Sequence, residues 1–261
     1  MPASDIHPPR LGARLFSVWF RHMRVYTRNL VSNGLPPFLD PVIFLFGIGF
    51  GLGRYIETMD GVRYLVFLAT ALPVTSAMFT ASYECTFGTF IRLEFQKAYD
   101  GMVAAPVTAN DLFVGEILWA ASKGLFFSAC VVLVLSLFGA IPMPLGALAV
   151  PIGFLTGAMF GAISLLVASF VRNINHFNFY FTGFLSPMFF FSGTIFRLDS
   201  LPRALRLLAE LLPLTHAVRL TRSLAIARFS PVLLVDLAFL VVTTLVVGTW
   251  AVRRLRRRIV A

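Results

Sequence analysis

Six separate stretches of this 261-residue chain are long enough to cross a lipid bilayer as helices and are almost free of charge. Crossing ~30 Å of hydrocarbon takes about 20 apolar residues, and only a helix or a closed barrel satisfies its own backbone polar groups there. The stretches lie near 35–53, 64–82, 112–140, 145–171, 177–196 and 231–252. The second, fourth and fifth hold no Asp, Glu, Lys or Arg; the first holds Asp40 beside Pro41, the third Glu116 and Lys123, and the sixth Asp236. Only 13% of the chain is charged and 58% is hydrophobic, against about 25% charged in a soluble domain. The chain therefore reads as an all-α polytopic membrane protein with about six transmembrane helices, its prolines making the first the least regular.

Charge placement orients the spans. Arg10, Arg14, Arg21, Arg24 and Arg28 precede the first span, and Arg253, Arg254, Arg256, Arg257 and Arg258 follow the last. Basic flanks stay in the cytoplasm, and an even number of spans puts both ends on one side. The expectation is a multi-pass protein of a bacterial inner membrane with both termini cytoplasmic. The first 34 residues hold no apolar stretch with a small-residue cleavage site and are not read as a signal peptide. At 100° per residue their arginines fall within about 80° of arc, with Leu11, Leu15, Trp19, Tyr26 and Leu30 opposite. Residues 1–34 are thus expected as an amphipathic helix in the cytoplasmic interface, ahead of one membrane domain over 35–261. The +10 net charge resides mostly in these two clusters, so lipid is the expected partner and nucleic acid is not.

Between the fifth and sixth spans the expected outer loop is also basic: Arg197, Arg203, Arg206, Arg219, Arg222 and Arg228 against Asp199 and Glu210. These arginines either meet an anionic cargo or balance lipid headgroups. Leucines at 198, 201, 205, 208 and 212 keep helical spacing, Pro213 ends that run, and Thr215 is placed to cap a second short helix. Two short re-entrant outer helices are expected here.

Motifs for chemistry are absent. The lysines are Lys97 and Lys123, and neither follows a Gly-x-x-x-x-Gly frame; no Gly-x-Ser-x-Gly elbow occurs. His7, His22, His176 and His216 show no ligand spacing with carboxylates, and Cys85 and Cys130 read as core thiols. No catalytic residue, cofactor site or metal site is expected, and energy for transport must come from another chain. An integral-membrane enzyme such as an acyltransferase would need reactive groups gathered at one depth, and His176 and Glu116 are too isolated for that. Gly153, Gly157 and Gly161 make a small-residue face on the fourth span, as do Gly47 and Gly51 with Gly49 and Gly53 on the first; such faces serve packing within the chain or contact with a second copy. Among polar groups inside the membrane, which are costly, Lys123 is expected near mid-bilayer, lining a polar path or pairing with Glu116 or Asp40.

Several segments, taken in order, resemble one family. They include the first-span run from Asp40-Pro41 to Gly53, Asp60-Gly61 followed by Tyr64-Leu65, Thr75-Ser-Ala-Met78, Gly115-Glu116 with Trp119-Ala-Ala-Ser-Lys123, Ser186-Pro-Met-Phe-Phe-Phe-Ser-Gly193, and Leu212-Pro-Leu-Thr-His216 with Arg219 and Arg222. These resemble the ABC type-2 transporter permeases, in particular those exporting lipo-oligosaccharide nodulation factors. The resemblance implies an exporter permease that works as two copies with two copies of a separate ABC ATPase, which binds the ATP and Mg. It implies that the connection after the second span docks on that ATPase. Here the segment carries Arg92, Phe95, Lys97, Tyr99, Asp100 and Met102, with Phe95, Tyr99 and Met102 expected as one apolar stripe on a short helix. It further implies an outer gate at Pro213, His216, Arg219 and Arg222. The cargo expected is a lipo-oligosaccharide, polysaccharide or related lipid-linked amphiphile, the alternative being a drug or other small hydrophobic molecule.

Overall fold

The computed structural model describes residues 10–103 and 107–260. Among the described residues, five helices are long and apolar enough to cross a membrane: α2 (Pro36–Gly53), α3 (Tyr64–Phe95), α5 (Ala109–Leu137), α6 (Leu145–Phe170) and α10 (Val232–Arg258, continuing helically to Val260). Before them lies α1 (Leu11–Arg28), and between α3 and α5 a short α4 (Ala98–Val103). The expected fifth span, α7, is helical over residues 174–191, opening on a 3-10 turn at Ile174–His176, near the lower end of the roughly 17–25 residues a crossing takes. Two outer helices follow, α8 (Arg203–Glu210) and α9 (Pro213–Ala225).

The second span runs 13 residues past its expected end at Ser82, with π-helical turns at Glu84–Gly88 and Ile91–Phe95. The charges at Glu84, Arg92 and Glu94 do not stop the helix because Glu84 and Arg92 bond to each other and Glu94 bonds to Arg258. The outer pair is also divided differently from expectation. Leu198 sits in an isolated turn, α8 stops at Glu210, and Pro213 begins α9 rather than only ending the run before it. Proline suits the first turn of a helix, whose N–H would be unpaired anyway. Thr215 caps nothing; its hydroxyl donates to the Ala209 carbonyl across the junction, at 2.6 Å.

The bundle has a centre and a periphery. α3, α5 and α6 pack on one another, α10 lies against α6, and α1 lies along the first half of α5. About 72% of the α3 membrane window is buried but only 22% of α2 and of α10, so these two outer spans present Ile43, Phe46, Leu245 and Val246 outward. The end of the bundle that receives α1, α4 and the last turns of α10 is called the inner end below. At the outer end Thr58–Met59 and Val62–Arg63 form an antiparallel hairpin around Asp60-Gly61, both at positive φ, the Asp-Gly chemistry that a tight hairpin turn demands.

The glycine face of α6 closes on α5. A Cβ at Gly153 would lie 1.9 Å from the Ser128 Oγ, and one at Gly124 would lie 2.6 Å from the Gly153 carbonyl oxygen. Small residues let the two backbones approach, so this face is spent within the chain. On α2, Gly47 and Gly51 meet nothing. We expect Gly153→Val to cost about 1–3 kcal/mol by overpacking, read as a lowered melting temperature of the detergent-solubilised protein, while Gly47→Ala leaves it unchanged. Equal effects at both positions would contradict this packing.

Candidate functional site

Two buried ion networks and one cleft occupy the places to which the sequence points. The inner network starts from Glu116, fully buried on α5. Its carboxylate accepts from Arg92 Nη2 at 2.7 Å and from the Tyr99 hydroxyl at 2.6 Å, and His22 Nε2 stands 3.1 Å from it. Arg92 also donates to Glu84 at 2.7 Å and to the Tyr99 oxygen at 3.2 Å, and Lys123 Nζ donates to the other oxygen of Glu84 at 2.9 Å. Four segments are thereby joined: α1 through His22, α3 through Glu84 and Arg92, α4 through Tyr99, and α5 through Glu116 and Lys123. Burial together with the Glu116 charge holds the Tyr99 phenol well above its usual pKa, so it remains a donor. His22, Glu84 and Glu116 bring three potential ligand atoms within 4.8 Å of one another. Arg92 and Lys123 already neutralise both carboxylates and would repel a divalent ion, so the cluster is a salt-bridge network rather than a metal site.

This geometry corrects two expectations. Lys123 pairs with neither Glu116 nor Asp40 but with Glu84, which sits 20 residues into α3, roughly 30 Å at 1.5 Å per residue. That is a full hydrocarbon thickness from the outer start of α3, so Lys123 belongs near the inner edge of the membrane and not at its middle. Nor do Phe95, Tyr99 and Met102 form one stripe. The helix breaks between Phe95 and Ala98, where Lys97 has φ 50°. Beyond the break Tyr99 turns inward onto Phe113 and Glu116 and Met102 packs against the core, while Phe95 remains 66% exposed beside an exposed Lys97. Asp100 lies in α4, and its side chain falls outside the described part of the structure.

The residues missed by sequence reading are His22 and Glu84. His22 looked like one more member of a basic interfacial helix, yet it is buried and stacks on Trp119, with Trp19 and Tyr26 packed on the other edges of that indole. Trp19 also donates to Ser122 at 2.9 Å, and Arg14 pairs with Asp111 at 3.2 Å. The i, i+4, i+8 spacing of Arg14, Val18 and His22 was the available signal; the surrounding arginines masked it.

The outer network centres on Asp236, fully buried at the start of α10. It accepts from both Arg219 Nη2, at 2.6 Å, and Arg219 Nε, at 2.9 Å, and lies 2.7 Å from His216 Nδ1. Arg219 also reaches Glu210 at 2.8 Å, and the His216 ring stacks on Phe239 with centroids 3.9 Å apart. Arg222 has no carboxylate partner among the described residues; it donates to the carbonyls of Phe67 and Gly193 at 2.9 and 2.8 Å and stands 3.6 Å over the Phe67 ring. Arg219 ties α9 to α10, and Arg222 ties α9 to the outer ends of α3 and α7. Elsewhere in the loop Arg197 and Arg206 share Asp199, and Arg228 holds Asp60 of the hairpin.

A cleft of about 420 Å³ opens between α2, α3, α5 and α7. Phe44, Phe79, Tyr83, Phe127 and Phe189 wall it, with Asp40, Thr75, Ser76 and Thr80 interspersed. Asp40 has no ion pair among the described residues and faces this space.

Cutting one member of a buried, hydrogen-bonded ion pair costs about 3–5 kcal/mol. We therefore expect Lys123→Met or Arg92→Gln to lower the melting temperature sharply, while Lys97→Met, at an exposed position, does not. At the outer end, Arg222→Lys should fail to restore what Arg222→Ala loses, because an ammonium cannot reach two carbonyls and stack on a ring at once. Full rescue by lysine would reduce Arg222 to a point charge.

The model of the ABC-2 type transporter family matches residues 13–226, which take in most of α1, the inner network, the cleft and the Glu210, His216 and Arg219 side of the outer network, but not Asp236. Among curated relatives, Nodulation protein J of Sinorhizobium fredii is 35% identical over 79% of each chain. That of Rhizobium leguminosarum bv. viciae is 34% identical over 82% of this chain and 83% of its own. The inner membrane transport permease YadH of Escherichia coli is 22% identical over 78% of this chain and 79% of its own.

Proposed function

This chain belongs to the ABC-2 type transporter family as a membrane permease subunit, not an enzyme, and on that premise we propose that it exports a lipo-oligosaccharide, polysaccharide or related lipid-linked amphiphile from the cytoplasm. The observation that carries the cargo reading is the aromatic cleft. Aromatic faces suit acyl chains and the flat faces of sugar rings, while hydroxyls and a carboxylate suit sugar hydroxyls, and pockets that mix an apolar wall with a few polar groups fix a ligand's orientation. The relatives called Nodulation protein J agree with the family resemblance from which this cargo class is expected. The orientation proposed is an inner-membrane protein with cytoplasmic termini, supported by the arginine clusters at its two ends.

The working assembly proposed is two copies of this chain with two copies of a separate ABC ATPase that holds ATP and Mg. The exposed, apolar face of α2 around Ile43, Phe46, Gly47 and Gly51 supports contact with a second copy. Coupling is assigned to the break between α3 and α4. Phe95 and Lys97 offer the ATPase an aromatic anchor and a charge, and Tyr99 relays movement of α4 to Glu116, and so to α1 and α5.

A strain lacking the gene should retain a lipid-linked saccharide in its cytoplasm, and a Phe79→Ala, Ser76→Val variant of the cleft should restore export only partly. Normal glycolipid export with heightened drug sensitivity would move the reading to small-molecule efflux. For coupling, an interface anchor of this kind is worth about 2 kcal/mol, roughly 30-fold in affinity. Phe95→Ala should weaken co-purification of the ATPase to that extent, whereas Tyr99→Phe should keep it but lower transport. If both variants behave as wild type, energy enters the chain elsewhere.

A further inference from the structure

A second concave site lies at the inner end, away from both ion networks and from the aromatic cleft. The last turns of α6 and α10 enclose a cleft of about 520 Å³ whose wall is dominated by arginine. Arg258 builds it. Its guanidinium donates to the terminal carbonyls of α6 at Ala168 and Val171, at 3.1 and 3.0 Å, and to Glu94 at 2.7 Å. These bonds satisfy the helix end and pin α10 to α6 and α3. The Arg254 guanidinium carbon stands 3.7 Å from the centre of the Phe170 ring, which fixes one wall. Arg172, Arg253 and Arg257 then line the space exposed and, among the described residues, without a carboxylate partner.

The opposite rim is apolar. Trp250, 55% exposed, sits at the mouth with its ring 6.3 Å from Phe170, and above it α10 continues outward through exposed Val246, Leu245 and Val242. The cleft is therefore cationic at its inner edge and runs without interruption into a surface that only lipid chains or another apolar surface would cover. An exposed tryptophan at that junction marks the headgroup level. A soluble anion such as phosphate would use the arginines and leave the apolar half wet. An acidic peptide would use the charge but not the membrane-facing strip.

We propose that this cleft is a binding site for an anionic phospholipid, its phosphodiester held by Arg172, Arg253 and Arg257 and its acyl chains lying on α10 beside Trp250. Arginine forks match phosphate oxygens in pairs, and basic pockets between helices at the membrane surface recognise acidic headgroups. A lipid bridging α6 and α10 here would brace the joint that Arg258 closes. The site is independent of the cargo reading and rests only on the chain's membrane placement; the proposed orientation would make the leaflet the cytoplasmic one.

The test uses the whole chain in vesicles of phosphatidylcholine with one quarter phosphatidylglycerol, extracted gently, with retained lipid counted by native mass spectrometry. Wild type should retain phosphatidylglycerol and phosphatidylcholine in a ratio about tenfold above their ratio in the vesicle, and 10 mM inorganic phosphate should not displace the retained lipid. Arg253→Gln with Arg257→Gln should bring retention down to the vesicle ratio, while removing equal charge at Arg21 and Arg24 should not. Trp250→Ala, which keeps every charge, should reduce retention severalfold and covers the case that the double variant fails to insert. The proposal is overturned if wild type shows no preference, if the two double variants lose retention equally, or if phosphate alone displaces the lipid.

Discussion

Glu116 is the residue on which the rest of the structure leans. A carboxylate with no exposure at the membrane edge is tolerable only if every lone pair is used, because leaving such a charge unpaired costs several kcal/mol. Arg92 and Tyr99 supply the bonds, His22 approaches from a third side, and Arg92 in turn needs Glu84, which needs Lys123. Satisfying one charge thus recruits α1, α3, α4 and α5. The same requirement explains why the second span does not end where its apolar residues end. Its π-helical turns carry Glu84 and Arg92 to the level of α5, and each charge has its partner there.

The two ends of the bundle repeat one device. At the inner end a buried glutamate gathers an arginine, a histidine and a tyrosine; at the outer end a buried aspartate gathers an arginine and a histidine. Both acids lie on long spans, and their partners come from short segments, α1 and α4 at one end and α9 at the other, with Arg92 of the span α3 as the exception. Short helices have little apolar area with which to hold themselves in place, and isolated ones are marginal. Ion pairs in low dielectric add to the apolar contacts that Tyr99 of α4 and Leu214, Ala217, Val218 and Leu220 of α9 make with the core.

The spans were legible because their signal is local: apolar length against the thickness of hydrocarbon. So were Asp40, Glu116 and Lys123 as polar groups in need of explanation, since a charge in an apolar run stands out, whereas Arg219 and Arg222 were singled out by the basic outer loop and the family resemblance. Their partners were not legible. Glu84 appeared to lie beyond its span, because a sequence window ends a helix at the first cluster of charges and cannot count partners on a helix 30 positions away. Tyr99 looked like part of a surface stripe because Phe95, Tyr99 and Met102 keep helical spacing, but the break at Lys97 rotates α4 so that Tyr99 faces inward.

What the sequence determined by itself is a helical membrane protein with basic flanks and a small-residue face on α6, consequences of composition and short-range spacing. Tertiary structure alone decided that this glycine face meets α5, that the outer arginines are tied to Asp236, Phe67 and Gly193, and that Phe170 and Arg172 at the end of α6 close one cleft with Trp250 and the arginines of α10. The reason is physical. Burial and helix length depend on how many apolar atoms lie close together along the chain, whereas the stability of a charge depends on which opposite charge or carbonyl the fold brings within 3 Å of it.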